Sequence, residues 1–262
     1  MTSIALHPVP RWKTVAKEQI NAVGVALRTE SILFLCALGV IAVLVIINAV
    51  HALGQPNSRP DVVFGPAGTI PITLVGFVLP FSVWRSEDPA RRSYHWSMPI
   101  ARVPHTLMKT AAGWLWLMAA VVVYLLFIVA LGQVVAHIGG YSGSQHHVPA
   151  WQWIIPFTSA TIAYLLGSTA IIASDHPWRW IMGVIIAYAV IFMVLDELDW
   201  NSAARAWEGI VNGYHGVRAA IFGHVRARYA GASAARWIGA TAIWGALGIV
   251  TLAGALLRRG DE

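Results

Sequence analysis

Residues 31–50 read SILFLCALGVIAVLVIINAV and contain no charged side chain. A helix needs about 20 mostly apolar residues to cross a hydrocarbon core of about 30 Å. Because unpaired backbone groups are costly in lipid, a run of this kind favours a helix over any other structure. The stretch therefore predicts a membrane-spanning helix, and with it an all-α, polytopic membrane protein.

Five further segments have the same character and raise the predicted number of transmembrane helices to six. Only one charged side chain, Arg179, lies within the six segments, and the second segment contains three prolines that predict a kink or a break. The five segments are residues 62–84, 110–136, 151–173, 177–195 and 237–257.

The composition supports the same class. The chain is 57% hydrophobic and 11% charged, against about 25% charged residues in an average soluble domain. So few charges cannot cover a water-facing surface, and we expect residues 1–262 to form a single transmembrane domain.

Two stretches are amphipathic and too polar to span. In residues 11–30, Trp12, Ile20 and Leu27 share one apolar face, which predicts an interfacial elbow helix before the first span. Residues 202–229 show apolar side chains at three- and four-residue spacing. They predict re-entrant or interfacial helices between the fifth and sixth spans, with a solvated hairpin as the alternative.

The basic residues predict the orientation. With the N-terminus inside, twelve of the 18 Lys and Arg residues fall on the cytoplasmic side. We therefore expect both termini in the cytoplasm. The formal net charge of +6 suits contact with anionic lipid headgroups, so it does not indicate a nucleic-acid partner, and we expect none.

The chain shows no motif for its own energy source. It has no G-x-x-x-x-G-K-[ST] phosphate loop, and no predicted span contains Asp, Glu or Lys. Residues 140–143 match a protease-like GxSG pattern, but no predicted span holds the histidine that such a serine requires. We expect no catalytic, cofactor-binding or metal-binding residues, and any driving energy would come from a separate subunit.

The first inner loop, residues 86–98, is the candidate contact with that subunit. Acidic residues begin it, and basic and aromatic side chains follow. This composition is typical of a short helix that inserts an aromatic anchor into a partner's groove. The alternative is an ordinary positive-inside loop whose charges only hold the orientation. The residues concerned are Glu87, Asp88, Arg91, Arg92, Tyr94 and Trp96.

After this helix comes Met98-Pro99-Ile100-Ala101-Arg102, and then Lys109 at the start of the third span. This order resembles the permeases of ABC-2-type exporters, which carry an acidic-started coupling helix, a Leu/Met-Pro-x-x-Arg turn and a Lys entering the third span. The elbow helix, six spans and re-entrant helices fit the same layout.

The resemblance implies a function and a set of partners. The coupling helix would dock on a cytosolic ABC ATPase, present in two copies, and ATP and Mg would bind to that subunit. A second permease copy would complete a homodimer in the bacterial cytoplasmic membrane. The expected substrate is amphipathic or hydrophobic, such as a drug, a lipid or a lipid-linked compound. The alternative is a membrane scaffold or sensor whose inner loop binds a different cytosolic partner.

Overall fold

The structure is a computed structural model. It describes residues 12–53, 69–85, 102–138, 149–174, 176–197, 209–211, 213, 215–222 and 233–260. In these ranges the chain forms helices and no strand, which confirms the all-α prediction for the part of the chain described.

The first two helices follow each other with almost no interruption. Helix α1 spans Trp12–Ala26 and α2 spans Arg28–Leu53, so residues 28–30, predicted to end the elbow helix, begin α2 instead. Leu27 forms a turn between them, and the amide of Ser31 still donates to the Leu27 carbonyl at 2.8 Å. Val23 and Leu27 are buried, whereas Lys17 and Asn21 are exposed, as the amphipathic pattern of α1 predicts.

Helix α3 spans Ile70–Trp84 and is shorter than the predicted segment 62–84. Residues 62–68 lie outside the described part of the chain, and Thr69 is not helical. Pro71 lies in the first turn, where a missing amide hydrogen costs nothing. The helix continues through Pro80 without a break, contrary to one of the two outcomes that the prolines predicted.

Helix α4 spans Arg102–Ile138 and begins eight residues before the predicted third span. Pro104 is tolerated because it lies in the first turn, where backbone amides have no partner within the helix. A 3-10 helix, Ala150–Ile154, leads into α5, Ile155–Ala173. The remaining helices are α6, Pro177–Glu197, the short α7, Val217–Phe222, and α8, Ala234–Gly260.

Four of the described helical segments are long and apolar enough to cross a membrane. They are Arg28–His51, Val103–Ile138, Ala150–Ala173 and Ala234–Arg258. Helix α3 is apolar but has 15 residues, and α6 is not among the four. The helices therefore have the character of a multi-pass membrane protein.

Helix α5 is the centre of the bundle. It packs against both α3 and α8, and Tyr164, Ser159 and Ala160 on it are fully buried. Gly76 on α3 allows the closest approach, because a Cβ at this position would lie 2.6 Å from the Ala160 carbonyl oxygen. Small residues at such crossings let helix backbones meet in membranes.

The contacts sort the helix termini into two ends of the bundle. At one end the C-termini of α1, α3, α5 and α8 share an apolar cluster with the first part of α4. At the other end Thr69, just before α3, donates to the carbonyl of Ile221 on α7 at 2.9 Å. Ala49 at the end of α2 packs there on Leu131 and Val135 of α4.

Candidate functional site between helices α3 and α4

A buried cation–aromatic contact joins the end of α3 to the first part of α4. The Nζ of Lys109 lies 4.7 Å from the centroid of the Trp84 ring. Trp84 is the last residue of α3, and Lys109 lies in the second turn of α4. Both are almost fully buried, with exposed fractions of 7% and 5%. Desolvation strengthens the attraction of a cation to a ring face.

The Trp84 side chain is held by an apolar cluster built from five helices. Val23 of α1, Leu27 just after it, Ala112 of α4, Ile171 of α5 and Leu252 of α8 belong to it. A movement of Trp84 would therefore disturb the packing of every helix that contributes to this end. The base of the loop is joined mechanically to the core.

A second polar contact lies next to this base. Arg85, immediately after α3, has its Nη1 3.9 Å from Oε1 of Glu30 in the first turn of α2. The Arg85 side chain is 80% exposed and that of Glu30 is 27% exposed. An ion pair at this distance and exposure contributes little to stability. It does place a carboxyl group beside the loop.

Helix α1 is attached to the same end by polar contacts with α4. The indole Nε1 of Trp116 donates to the carbonyl of Ile20 at 3.1 Å, and Gln19 lies 3.3 Å from Nε2 of His105. Gly24 lies directly against the Trp116 ring, where a Cβ would lie 2.7 Å from it. Helix α1 is therefore packed on α4.

Most of the residues predicted for the partner contact cannot be located. Glu87, Asp88, Arg91, Arg92, Tyr94, Trp96, Met98 and Pro99 all lie outside the described residues. Arg102 is the first residue of α4, and only its backbone is described. Lys109, predicted to enter the third span, is described in full and lies over Trp84.

Two functional candidates escaped the sequence reasoning. The sequence pattern marks Trp84 only as the last residue of the segment 62–84, and Glu30 only as the last residue of the predicted elbow helix 11–30. The signal for Glu30 was its place directly before an uncharged run, where a carboxyl group needs a local reason to be present. Trp84 had no sequence signal that would connect it with Lys109, 25 positions later.

The described side chains include no group of three or more His, Cys, Asp or Glu residues that could hold a metal ion. His137 and His215 are both exposed. The sequence matches no protein-family model, and no curated protein and no solved structure is detectably similar to it.

Proposed function

We propose that this chain is the transmembrane permease subunit of an ATP-driven exporter of the ABC-2 type. In this proposal two copies of the chain form a homodimer, and each docks one cytosolic ABC ATPase through residues 86–98. The observation that carries the proposal is the Trp84–Lys109 contact. It joins the last residue of α3 to the second turn of α4, so that a force applied to the segment between the two helices would reach α3, α4 and α5.

The grouping of helix ends supports the proposed orientation. The end that carries Glu30, Arg85 and Lys109 is the one that the positive-inside rule assigns to the cytoplasm. There α1 lies on α4 as an elbow helix would. Both termini would then be cytoplasmic, in a bacterial inner membrane.

Six spans require α3 and α6 to cross the bilayer together with the four long helices. Helix α3 has 15 residues and a length of about 22 Å, shorter than a core of about 30 Å. It is nevertheless packed along α5 at the centre of the bundle, a position that favours a span over a surface helix. Helix α7 would be part of the re-entrant segment at the outer end, since it contacts α3, α5 and α8.

The proposal is tested by co-purification from the native host. The detergent-extracted chain should bring down a nucleotide-binding protein, and the complex should hydrolyse ATP. Replacing Glu87, Arg91 and Trp96 together by alanine should remove both the partner and the hydrolysis. A matched triple variant of His51, Gln133 and His137, which are exposed near the opposite end, should retain both.

Two results would contradict the proposal. One is an isolated chain that transports solute down an ion gradient, because it would then need no ATPase. The other is a wild-type chain that retains a partner without ATPase activity through the same loop residues. That outcome would favour the scaffold or sensor.

A further inference from the structure

A cavity of about 570 Å³ opens between α2, α3 and α4. Helix α2 packs chiefly on α4, which leaves space between α2 and the middle and end of α3. The walls of this cavity, here called the α2–α4 groove, are almost entirely apolar. Phe34, Leu74, Val78 and Val123 are among the side chains that form them.

The polar lining residues lie together at one end of the groove. They are Glu30 and Ser31 at the start of α2 and Ser82 near the end of α3. The wall on α3 extends from Leu74 to Ser82, a length of about 12 Å at the rise of a helix. The groove is therefore amphipathic along its length, and its polar end lies beside Arg85.

Glu30 has an unused hydrogen-bonding capacity in this position. Its Oε2 is buried, and no described protein group donates a hydrogen bond to it, whereas Oε1 is 3.9 Å from Arg85. Oε2 has no surface open to the groove, so a ligand there would meet Oε1, for which 3.9 Å from Arg85 is too long for a hydrogen bond. A positively charged donor would match this carboxylate oxygen best.

The size of the groove restricts the occupant. Pockets for drug-sized molecules have volumes of about 300–1,000 Å³ and mostly apolar walls with a few polar groups that fix orientation. The groove fits this description with an acidic group as its main polar feature. Helix α2 is also the least buried of the four long helices, since only 11% of its most apolar 18-residue stretch is buried. The groove is therefore accessible from the lipid side.

We propose that the α2–α4 groove binds a lipophilic organic ammonium ion, whose N–H donates to Glu30 while its apolar body lies along Phe34, Leu74 and Val78. The claim that this ion is the exported substrate rests on the function proposed above. The claim that the groove binds it concerns this chain alone. The groove would take the cation from the cytoplasmic half of the bilayer, because Glu30 lies at the end assigned to the cytoplasm.

The test is equilibrium binding of radiolabelled decylammonium to the full chain in phosphatidylcholine nanodiscs, with protein-free nanodiscs subtracted for partitioning. The choline headgroup has no N–H and cannot occupy the donor position. Decanol and decanoate carry chains of the same kind with neutral and anionic heads. Wild-type protein should bind decylammonium at least about tenfold more tightly than decanol, because the charged hydrogen bond is lost in decanol.

Two variants examine the two parts of the groove. Glu30→Gln should weaken decylammonium binding about tenfold or more and leave decanol binding unchanged. Ala119→Phe, which fills the apolar part, should weaken binding of both ligands. Glu18→Gln, an exposed acid on α1, and Ala130→Phe, an exposed alanine eleven residues farther along α4, are the matched controls and should bind as wild type.

Equal binding of decanol and decylammonium to the wild-type chain would overturn the inference and indicate an unselective acyl-chain groove. Tighter binding of decanoate would also overturn it, because Arg85 would then dominate. The wild-type selectivity decides the question even if a variant does not fold. Since no ATPase takes part, a failure here leaves the proposed coupling intact, and a failed co-purification leaves the groove intact.

Discussion

The ammonium group of Lys109 lies over the ring of Trp84, and these two residues close the base of the loop that joins α3 to α4. A buried contact of this kind links the direction of one helix end to the start of the next. Residues 86–98 begin directly after it. The contact therefore sets the position from which any partner-binding segment would extend.

The energetic coupling of this pair is measurable. Trp84→Leu and Lys109→Met should each destabilise the solubilised protein, and a double-mutant cycle should give a coupling of about 1–2 kcal/mol. The measurement is the free energy of unfolding in a denaturing-detergent titration. Lys17→Met, which replaces an exposed lysine on α1, should have no effect. Additive effects of the two substitutions would show that the contact is not energetically coupled.

The close crossing of α3 and α5 predicts intolerance to a single methyl group. Gly76→Ala would bring its Cβ to 2.6 Å from the Ala160 carbonyl oxygen, so the helices must separate. We expect a loss of about 1–3 kcal/mol in the free energy of unfolding. Gly39→Ala on α2 is the control, because its Cβ would have nothing within 4 Å. Similar stability of the two variants would contradict the crossing.

A buried hydroxyl joins α5 to α4. Tyr164 donates to the Thr110 carbonyl at 2.7 Å. Tyr164→Phe keeps the ring and loses only this bond, so the expected cost is about 1 kcal/mol. Tyr164→Leu also loses ring packing and should cost clearly more. Thermal unfolding followed by size-exclusion chromatography compares the two variants with wild type. A phenylalanine variant as stable as wild type would show that the hydrogen bond contributes nothing to stability.

A hydrogen bond anchors α7 at the end of the bundle where α3 begins. Thr69 is fully buried and donates to the Ile221 carbonyl at 2.9 Å. Thr69→Val preserves shape and removes the donor. We expect faster hydrogen exchange in residues 217–222 and unchanged exchange in α5, measured by mass spectrometry. Thr29→Val, at an exposed threonine of α2, should change neither region. Unchanged exchange at 217–222 would show that packing alone holds α7.

The two ends of the bundle should lie on opposite sides of the membrane. In a Cys36→Ala background, which removes the single cysteine, Arg85→Cys should react with an impermeant maleimide only from the cytoplasmic side. His51→Cys should react only from the outside. Both residues are exposed, so each cysteine can be reached. Labelling of both from one side would refute the proposed topology.

The hydrophobic runs predicted where helices form, and less reliably where they begin and end. A run of apolar residues marks the part of a helix that suits lipid, while hydrogen bonding can continue outside it. For this reason α4 begins at Arg102, eight residues before its apolar run. In α3 the reverse holds, since Thr69 is not helical although the apolar run begins at residue 62.

The sequence predicted a candidate site only from its linear pattern. The acidic start of residues 86–98 and the order Met98-Pro99-x-x-Arg102 can be read along the chain, because each depends on neighbours in sequence. All of these residues except Arg102 lie outside the described part of the chain, so the site stays a prediction. Glu30 and Arg85 are 55 positions apart, and their approach depends on how α2 and α3 meet. No local pattern contains that information.

The sequence by itself determined an all-α chain with several membrane-spanning helices, because the absence of charge over some 20 residues leaves the backbone no alternative in lipid. Only the tertiary structure decided that Lys109 covers Trp84, that α5 packs closely on α3 at Gly76, and that Glu30 lies at the end of an apolar groove. Apolar side chains suit a helix surface that faces lipid and one that faces protein equally well, so their pattern does not identify the neighbouring helix. The choice of neighbour is made by side-chain shape, which acts between segments that are distant in the chain.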